Sequence, residues 1–247
     1  MKKLILILFL VLAAQDVKSQ IEVFKENGSW FTLSNKFKLS NKFYVGNLIQ
    51  QRRVGFLKNT QAFLISPSVN YQINKNVSIG AGYMLYKYYA HGASHASITR
   101  DENRWWQHIT VNSKVGNTTF NNRLMFEERT LDLINKDVTP NKIEGSKYFQ
   151  RLRYRLQVTF NLFKLKNEQY ILGKLSNEIR IRFTTGLNEP DFDQNNFEAL
   201  LGYKLLDNSK IWLGYGRYYF KSNPEKFVSN NILHVTLSYD FDLTKKK

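Results

Sequence analysis

The chain has 247 residues, no cysteine and a formal net charge of +16. The lack of cysteine excludes disulfide scaffolds, thiolate metal sites and cysteine nucleophiles. Aromatic residues make up 15% of the chain and only four residues are proline. A chain of this composition buries enough apolar surface to offset its ordering entropy, which argues against disorder.

The N-terminal segment predicts export. Lys2 and Lys3 precede an unbroken apolar run from Leu4 to Ala14, and small residues stand near Ser19. A basic start, a short apolar run and a cleavage region are typical of a secretory signal peptide. The run is too short to cross a bilayer as a helix, and no later apolar run reaches that length. We therefore expect residues 1–19 to be removed from an exported protein.

Residues 151–162 show a regular alternation. Apolar residues stand at the even positions from Leu152 to Leu162, and polar residues at the odd positions from Arg151 to Asn161. Because strand side chains point alternately to opposite faces, this pattern predicts a two-faced strand of about 12 residues. Strands of soluble proteins usually have about 5–6 residues, whereas a tilted strand that crosses a bilayer needs about 9–11.

The same alternation recurs along the chain. It covers residues 28–39, 43–55, 61–73, 77–88, 104–115, 118–130, 148–162, 170–183, 196–205, 210–220 and 231–242. Tight turns, such as 116–117, alternate with longer polar connections at 89–103, 131–147, 184–195 and 221–230. Short turns on one side and long loops on the other are typical of an outer-membrane barrel, with a soluble all-β domain as the alternative.

The number of predicted segments is odd, whereas bacterial single-chain barrels have even numbers of strands. An exported chain also begins on the inner side, while the strand at 28–39 would begin on the outer side. Residues 20–27 are therefore expected to form a short extra strand or a plug. We predict an all-β, transmembrane, antiparallel up-and-down barrel of about 12 strands (range 10–12) over residues 28–242. A basic tail follows at 243–247.

The polar face of each strand is expected to line the lumen, because Arg or Lys at the bilayer midplane costs about 2–4 kcal/mol. The predicted inward cations are Arg123, Arg129, Arg151, Arg153, Arg155, Arg180 and Arg182. The predicted counter-charges are Glu127, Glu178 and Glu198. Aromatic residues such as Trp30 and Trp105 are expected at the two membrane interfaces.

Two interpretations of this lumen stay open. In the first, the arginines form an electropositive wall that lets small anionic solutes bind or pass. In the second, arginine and glutamate pair across strands and close the lumen, which leaves a structural barrel. No cofactor is expected in either case.

The loop after residue 88 offers a third hypothesis. His95, Ser97 and Asn103 resemble the His-x-Ser and Asn arrangement of outer-membrane phospholipase A, in which a base activates a hydroxyl nucleophile. The spacing to Asn103 is shorter than in that family. We expect a polar loop and no enzymatic activity, with a surface lipid hydrolase as the alternative.

Metal and nucleic-acid sites are not expected. His91 and His95 suit zinc only on a helix, which the loop does not predict. Asp191, Asp193 and Asn195 mimic the start of a calcium loop, but the required glycine is missing. For an exported basic chain, outer-membrane lipids and lipopolysaccharide are more sensible partners than nucleic acid. The ending Tyr239–Phe241 resembles the signal read by the barrel assembly machinery.

Several stretches together resemble an uncharacterised outer-membrane barrel family of Gram-negative bacteria, catalogued as domain of unknown function 2490. They are Glu102–Gln107, Arg123–Arg129, Tyr148–Arg155, Asn177-Glu178, Phe192–Asn195 and Leu201–Lys204. The resemblance runs from Trp30 to Phe241. It implies a barrel in the outer membrane and no known activity, so it assigns no catalytic residues.

Overall fold

A computed structural model of the chain describes residues 22–90, 96–166, 169–223 and 225–244. The predicted signal peptide, Gln20, His91, His95 and the last three residues of the predicted tail lie outside this range. Within it, the one helical element is a short 3-10 turn at Thr185–Leu187. No described helix is long and apolar enough to cross a bilayer.

The described residues form eleven strands. They are β1 (Glu22–Lys38), β2 (Phe43–Val54), β3 (Asn59–Gln72), β4 (Val77–Tyr88), β5 (Arg100–Val115), β6 (Thr118–Asn135), β7 (Lys142–Lys164), β8 (Tyr170–Phe183), β9 (Asp191–Leu206), β10 (Ser209–Asn223) and β11 (Lys226–Asp242). Each strand pairs with its neighbours in the chain in antiparallel fashion, and β1 pairs with β11 to close a barrel. The predicted all-β barrel is confirmed.

The barrel closes with eleven strands, which lies within the predicted range of 10–12 but is one fewer than the predicted count of about 12. The described part of the N-terminal segment, residues 22–27, forms no separate strand or plug: it is the first part of β1 and pairs with residues 226–231 of β11. The β1–β11 pairing is parallel and runs without a break from Glu22 to Lys38. A parallel closing pair permits an odd number of strands, which the assumption of antiparallel pairing throughout had excluded.

Two of the predicted long loops are mostly strand. β6 extends to Asn135 and β7 starts at Lys142, while only residues 224–225 separate β10 from β11. These extensions carry polar side chains on both faces, so the apolar–polar alternation that marks a strand in the sequence disappears there. Backbone pairing, such as Ile134 with Ile143, continues without it.

The barrel has a polar inner face and an apolar outer face. Along β7, Leu152, Tyr154 and Leu156 are exposed on the outside, whereas Arg151 is buried on the inside. Trp105 is exposed, but Trp30 is buried inside the barrel beside Tyr218. The expectation for Trp30 is therefore wrong, because the even positions around Trp30 in β1 face inward.

The odd strand number places the two ends of the described chain at opposite ends of the barrel. Val23 pairs with Phe227, and Leu243, the residue after β11, stands sixteen positions further along the chain than Phe227. At about 3.3 Å per residue, Val23 and Leu243 lie roughly 50 Å apart.

Spin labels at Val23→Cys and Leu243→Cys test this arrangement, because double electron–electron resonance measures the distance between them. Both side chains are exposed and the chain has no native cysteine, so labelling is specific. We expect a distance near 50 Å. A distance below about half that value would instead place both positions at one end, as in a barrel with an even number of strands.

Candidate functional site

Glu102 is the centre of a first buried cluster in the lumen. It is fully buried, and Arg104 donates to it from Nε over 2.7 Å and from Nη2 over 3.0 Å. Arg129 donates to the same carboxylate from Nε, and the Tyr88 hydroxyl donates over 2.7 Å. Burying an isolated carboxylate costs several kcal/mol, so this set of donors is what keeps the charge in place.

Glu127 is the centre of a second cluster and is also fully buried. Arg151 donates from Nε to Oε2 over 2.6 Å, and Arg153 donates from Nη1 to Oε1 over 2.6 Å. Arg151 further donates from Nη1 to Asp193 over 2.8 Å. Asp193, which in the sequence mimics part of a calcium loop, thus takes part in an arginine cluster.

Glu178 is the centre of the third cluster, which shares Arg153 with the second cluster. Arg153 donates to it from Nη2 over 2.7 Å, Arg180 from Nε over 2.8 Å and Arg123 from Nη2 over 2.8 Å. Because Arg153 contacts both Glu127 and Glu178, strands β6, β7 and β8 share one continuous set of charges. We call the three glutamates with Arg104, Arg129, Arg151, Arg153, Arg180 and Arg123 the ion-pair network.

Aromatic residues continue this layer around the rest of the lumen. The Arg52 guanidinium lies 3.6 Å from the centre of the Trp30 ring, and its Nη1 donates to the Tyr86 hydroxyl over 2.7 Å. The Tyr218 ring lies 4.3 Å from that of Trp30, and its hydroxyl donates to Glu198. A cation over an aromatic face is stabilised by about 0.5–2 kcal/mol, so Arg52 is held without a carboxylate.

A cavity of about 410 Å³ lies in the lumen beside the ion-pair network. It extends from the network towards the β5–β6 and β7–β8 connections, and network members such as Arg123, Glu127 and Glu178 form part of its wall. Arg155, His108 and Trp106 also line it. We call this space the lumenal cavity.

Arg123 and Arg155 are direct cross-strand neighbours on the wall of the lumenal cavity. Like charges in this position destabilise a sheet. Arg123 donates to Glu178, but Arg155 donates only from Nη2 to the neutral Asn121, over 2.8 Å. The Nε atoms of both arginines are buried without a hydrogen-bond partner among the described residues, and so is Nδ1 of His108.

The remaining predicted residues lie elsewhere. Arg182 pairs with Asp191 over 3.1 Å at the opposite end of the barrel from the 165–169 turn, and Asp191 also binds Lys221. Glu198 accepts hydrogen bonds from Tyr218 and Ser176. No group of three or more His, Asp or Glu side chains in the described ranges could hold a metal ion.

The residues of the hydrolase hypothesis have separate partners. Ser97 Oγ accepts a hydrogen bond from Asn141 over 2.9 Å. Asn103 belongs to β5 rather than to a loop, and its Oδ1 accepts a hydrogen bond from the Tyr83 hydroxyl over 2.6 Å. The third member, His95, lies outside the described residues.

Comparison with known protein families now adds to the geometry. The model of the family described as protein of unknown function (DUF2490) matches residues 27–232. The chain belongs to this family. The match runs from β1 into β11, and it confirms the resemblance seen in the sequence. No curated protein and no solved structure matches the chain.

The inner face of the DUF2490 barrel includes residues that the sequence analysis missed. Glu102 and Arg104 were part of the family resemblance but were not assigned to the lumen. The strand there was predicted to start at residue 104 but starts at Arg100, so Glu102 fell outside it and Arg104 stood at its edge. The signal was present as an alternation of Glu102, Arg104, Trp106 and His108. Arg52 was missed because its partners are aromatic rather than acidic.

The buried charge of Glu127 provides a test of the network in the DUF2490 barrel. Glu127→Gln leaves Arg151 and Arg153 without their shared carboxylate, so we expect the free energy of unfolding to fall by about 3–5 kcal/mol. Urea unfolding of the refolded protein measures it. Glu128→Gln is the control, since Glu128 is exposed and accepts from Tyr148, and we expect a change within about 0.5 kcal/mol. Equal losses in the two variants would contradict the role of the network.

Proposed function

We propose that this protein is an outer-membrane β-barrel whose lumen binds small anionic solutes. The observation that carries the proposal is the excess of cations on the wall of the lumenal cavity. Seven cations line it, against the three carboxylates of Glu127, Glu178 and Glu198; the cations are Lys36, Arg52, Arg104, Arg123, Arg153, Arg155 and Arg180. Arg155 and Arg52 form no ion pair with a described carboxylate. In a space with low dielectric walls, such an excess raises the local concentration of anions.

The outer face supports the location in a membrane. Large apolar side chains are exposed around the barrel, among them Leu124, Leu201, Leu213 and Ile109. A contiguous apolar surface of this extent marks a protein or membrane contact in a folded protein. The strands have at least 12 residues, which is enough to cross a bilayer at a tilt, and the N-terminal signal peptide expected from the sequence would deliver the chain for insertion.

The ion-pair network favours binding over free passage. Glu102 and Glu127 are fully buried and Arg151 is 2% exposed, so side chains fill the lumen at this level. A solute that enters the lumenal cavity from the side of the short turns would meet this layer. Moving it would require buried ion pairs to separate, at a cost of several kcal/mol each.

A charge on the outer face tests the membrane location. Leu201 lies on the outer face of β9 and is 57% exposed, while Leu243 lies beyond β11 and is 60% exposed. We expect Leu201→Arg to destabilise the protein folded in lipid vesicles by about 2–4 kcal/mol, because the guanidinium would lie in hydrocarbon. Leu243→Arg, with similar exposure, should have little effect. Equal tolerance of both variants would indicate a barrel surrounded by water.

Calorimetry on the refolded protein tests anion binding. Phosphate, sulfate and acetate are titrated at low ionic strength, with glucose and choline as the uncharged and cationic controls. We expect anions to bind, the controls not to bind, and the affinity for anions to fall as salt screens the wall. Planar-bilayer recording distinguishes passage from binding: a steady anion-selective conductance would assign passage. Absence of anion binding by folded protein would leave a structural barrel with a closed lumen.

A further inference from the structure

We propose that Arg123 and Arg155 form a site for a doubly charged tetrahedral oxyanion, the phosphate or sulfate group of a small solute, with His108 as a neighbouring hydrogen-bonding group. This inference rests on the proposed anion-binding function and narrows it to one place and one ligand chemistry. The site lies on the wall of the lumenal cavity, where the inner faces of β5, β6 and β7 meet.

The register of the strands places two positive charges next to each other on this wall. Arg123 on β6 is directly opposite Arg155 on β7. The neighbouring inward pairs differ, since Asn121 is opposite Gln157 on one side and Met125 is opposite Arg153 on the other. Two guanidinium groups on directly opposite residues repel each other, and an anion between them converts that repulsion into attraction.

The hydrogen-bond inventory identifies the donors that remain. Arg123 uses Nη2 for Glu178, and Arg155 uses Nη2 for Asn121. The Nε of each is buried without a partner among the described residues, and its burial keeps it out of reach of a ligand. The Nη1 atoms make no hydrogen bond among the described residues and are not buried, so they remain as donors for a group in the cavity. A guanidinium presents its N–H donors in a planar fork that matches the oxygens of phosphate or sulfate.

His108 lies beside the pair. It belongs to the inner face of β5, its ring stacks on that of Trp106 at 5.5 Å, and its Nδ1 is buried without a partner in the described residues. The ring packs closely against Gly80, its cross-strand neighbour on β4, because a Cβ at Gly80 would lie only 3.0 Å from the ring. The ring is therefore held in one place, where a nitrogen can donate to an oxygen of the ligand.

The charge count favours a dianion over a monoanion. Glu178 is already shared by Arg153, Arg180 and Arg123, and Arg155 forms no ion pair with a described carboxylate. A carboxylate ligand has two oxygens and one charge, so it satisfies one fork. A phosphate or sulfate group has enough oxygens for both guanidinium groups and for His108.

The volume of the cavity indicates what carries the oxyanion. A water molecule occupies about 30 Å³, so a cavity of about 410 Å³ exceeds the need of a free inorganic ion many times over. The rest of its wall includes Trp106, Tyr44, Ser66, Ser68 and Gln50, which offer ring faces, hydroxyls and an amide. Such a wall suits the neutral, hydroxyl-rich body of a sugar attached to the charged group.

Calorimetry at pH 8 with inorganic phosphate, sulfate and acetate tests the site on the refolded full chain. Arg155→Gln removes one fork, and Lys174→Gln is the matched control. Lys174 is another inward cation, but it lies over the Trp212 ring at 3.6 Å and is not among the residues that line the lumenal cavity. Heat-modifiable mobility on gels shows that each variant is folded. Arg155→Lys keeps the charge and loses the fork.

We expect phosphate and sulfate to bind the unmodified protein more tightly than acetate does. Arg155→Gln should weaken phosphate binding by roughly tenfold or more, Arg155→Lys by less, and Lys174→Gln by less than about twofold. Equal losses in Arg155→Gln and Lys174→Gln, or equal affinities for acetate and phosphate, would overturn the site while leaving the anion-binding lumen in place. If no anion binds the folded protein, the proposed function itself fails.

A second arm identifies the source of the oxyanion. A hexose phosphate is compared with inorganic phosphate and with the free hexose. Tighter binding of the hexose phosphate that Arg155→Gln abolishes supports a sugar-borne oxyanion. Equal binding of the two phosphates supports a free ion at the same site.

Discussion

The structure depends on the burial of glutamate charges among arginines inside a barrel. Glu102, Glu127 and Glu178 are each held by two or more guanidinium groups, and Arg153 links two of them. A barrel of eleven strands lies between barrels of about eight strands, whose interior side chains fill, and barrels of roughly 16–18 strands, which leave an aqueous channel. Long charged side chains reach towards one another here, and their guanidinium groups donate to the buried carboxylates.

This way of filling a lumen has a geometric consequence. Apart from Arg52, which aromatic rings hold, the arginines of the packed layer lie where a buried carboxylate is within reach. From Glu127 towards the short turns, Arg123 on β6 and Arg155 on β7 line the lumenal cavity, whose other carboxylates are Glu178 and Glu198. The boundary between packed and open lumen thus follows the positions of the acidic residues along β6 and β8.

The sequence predicted the barrel and the inward set on β6, β7 and β8 because alternation in these strands is strict. Arg151, Arg153 and Arg155 could be assigned to one face from periodicity alone. Pairing between distant side chains was out of reach, since the cross-strand register follows from turn geometry and from closure rather than from any one strand. For the same reason, the unequal fates of Arg153, held by two glutamates, and Arg155, held by one amide, appear only in the folded barrel.

The parallel seam between β1 and β11 has a consequence for how the chain folds. Every other pair of neighbouring strands is joined by a short connection, so it closes a small loop, whereas Lys38 and Asp242 at the seam are 204 residues apart. The chain loses entropy when so long a loop closes, and only then does the β1–β11 pairing add stability, so contacts of this kind make folding slow. Until β11 arrives, the curved sheet has two unpaired edges that can bind other strands. Closure of the β1–β11 pair therefore also removes the two open edges through which strands of other molecules could pair with this chain.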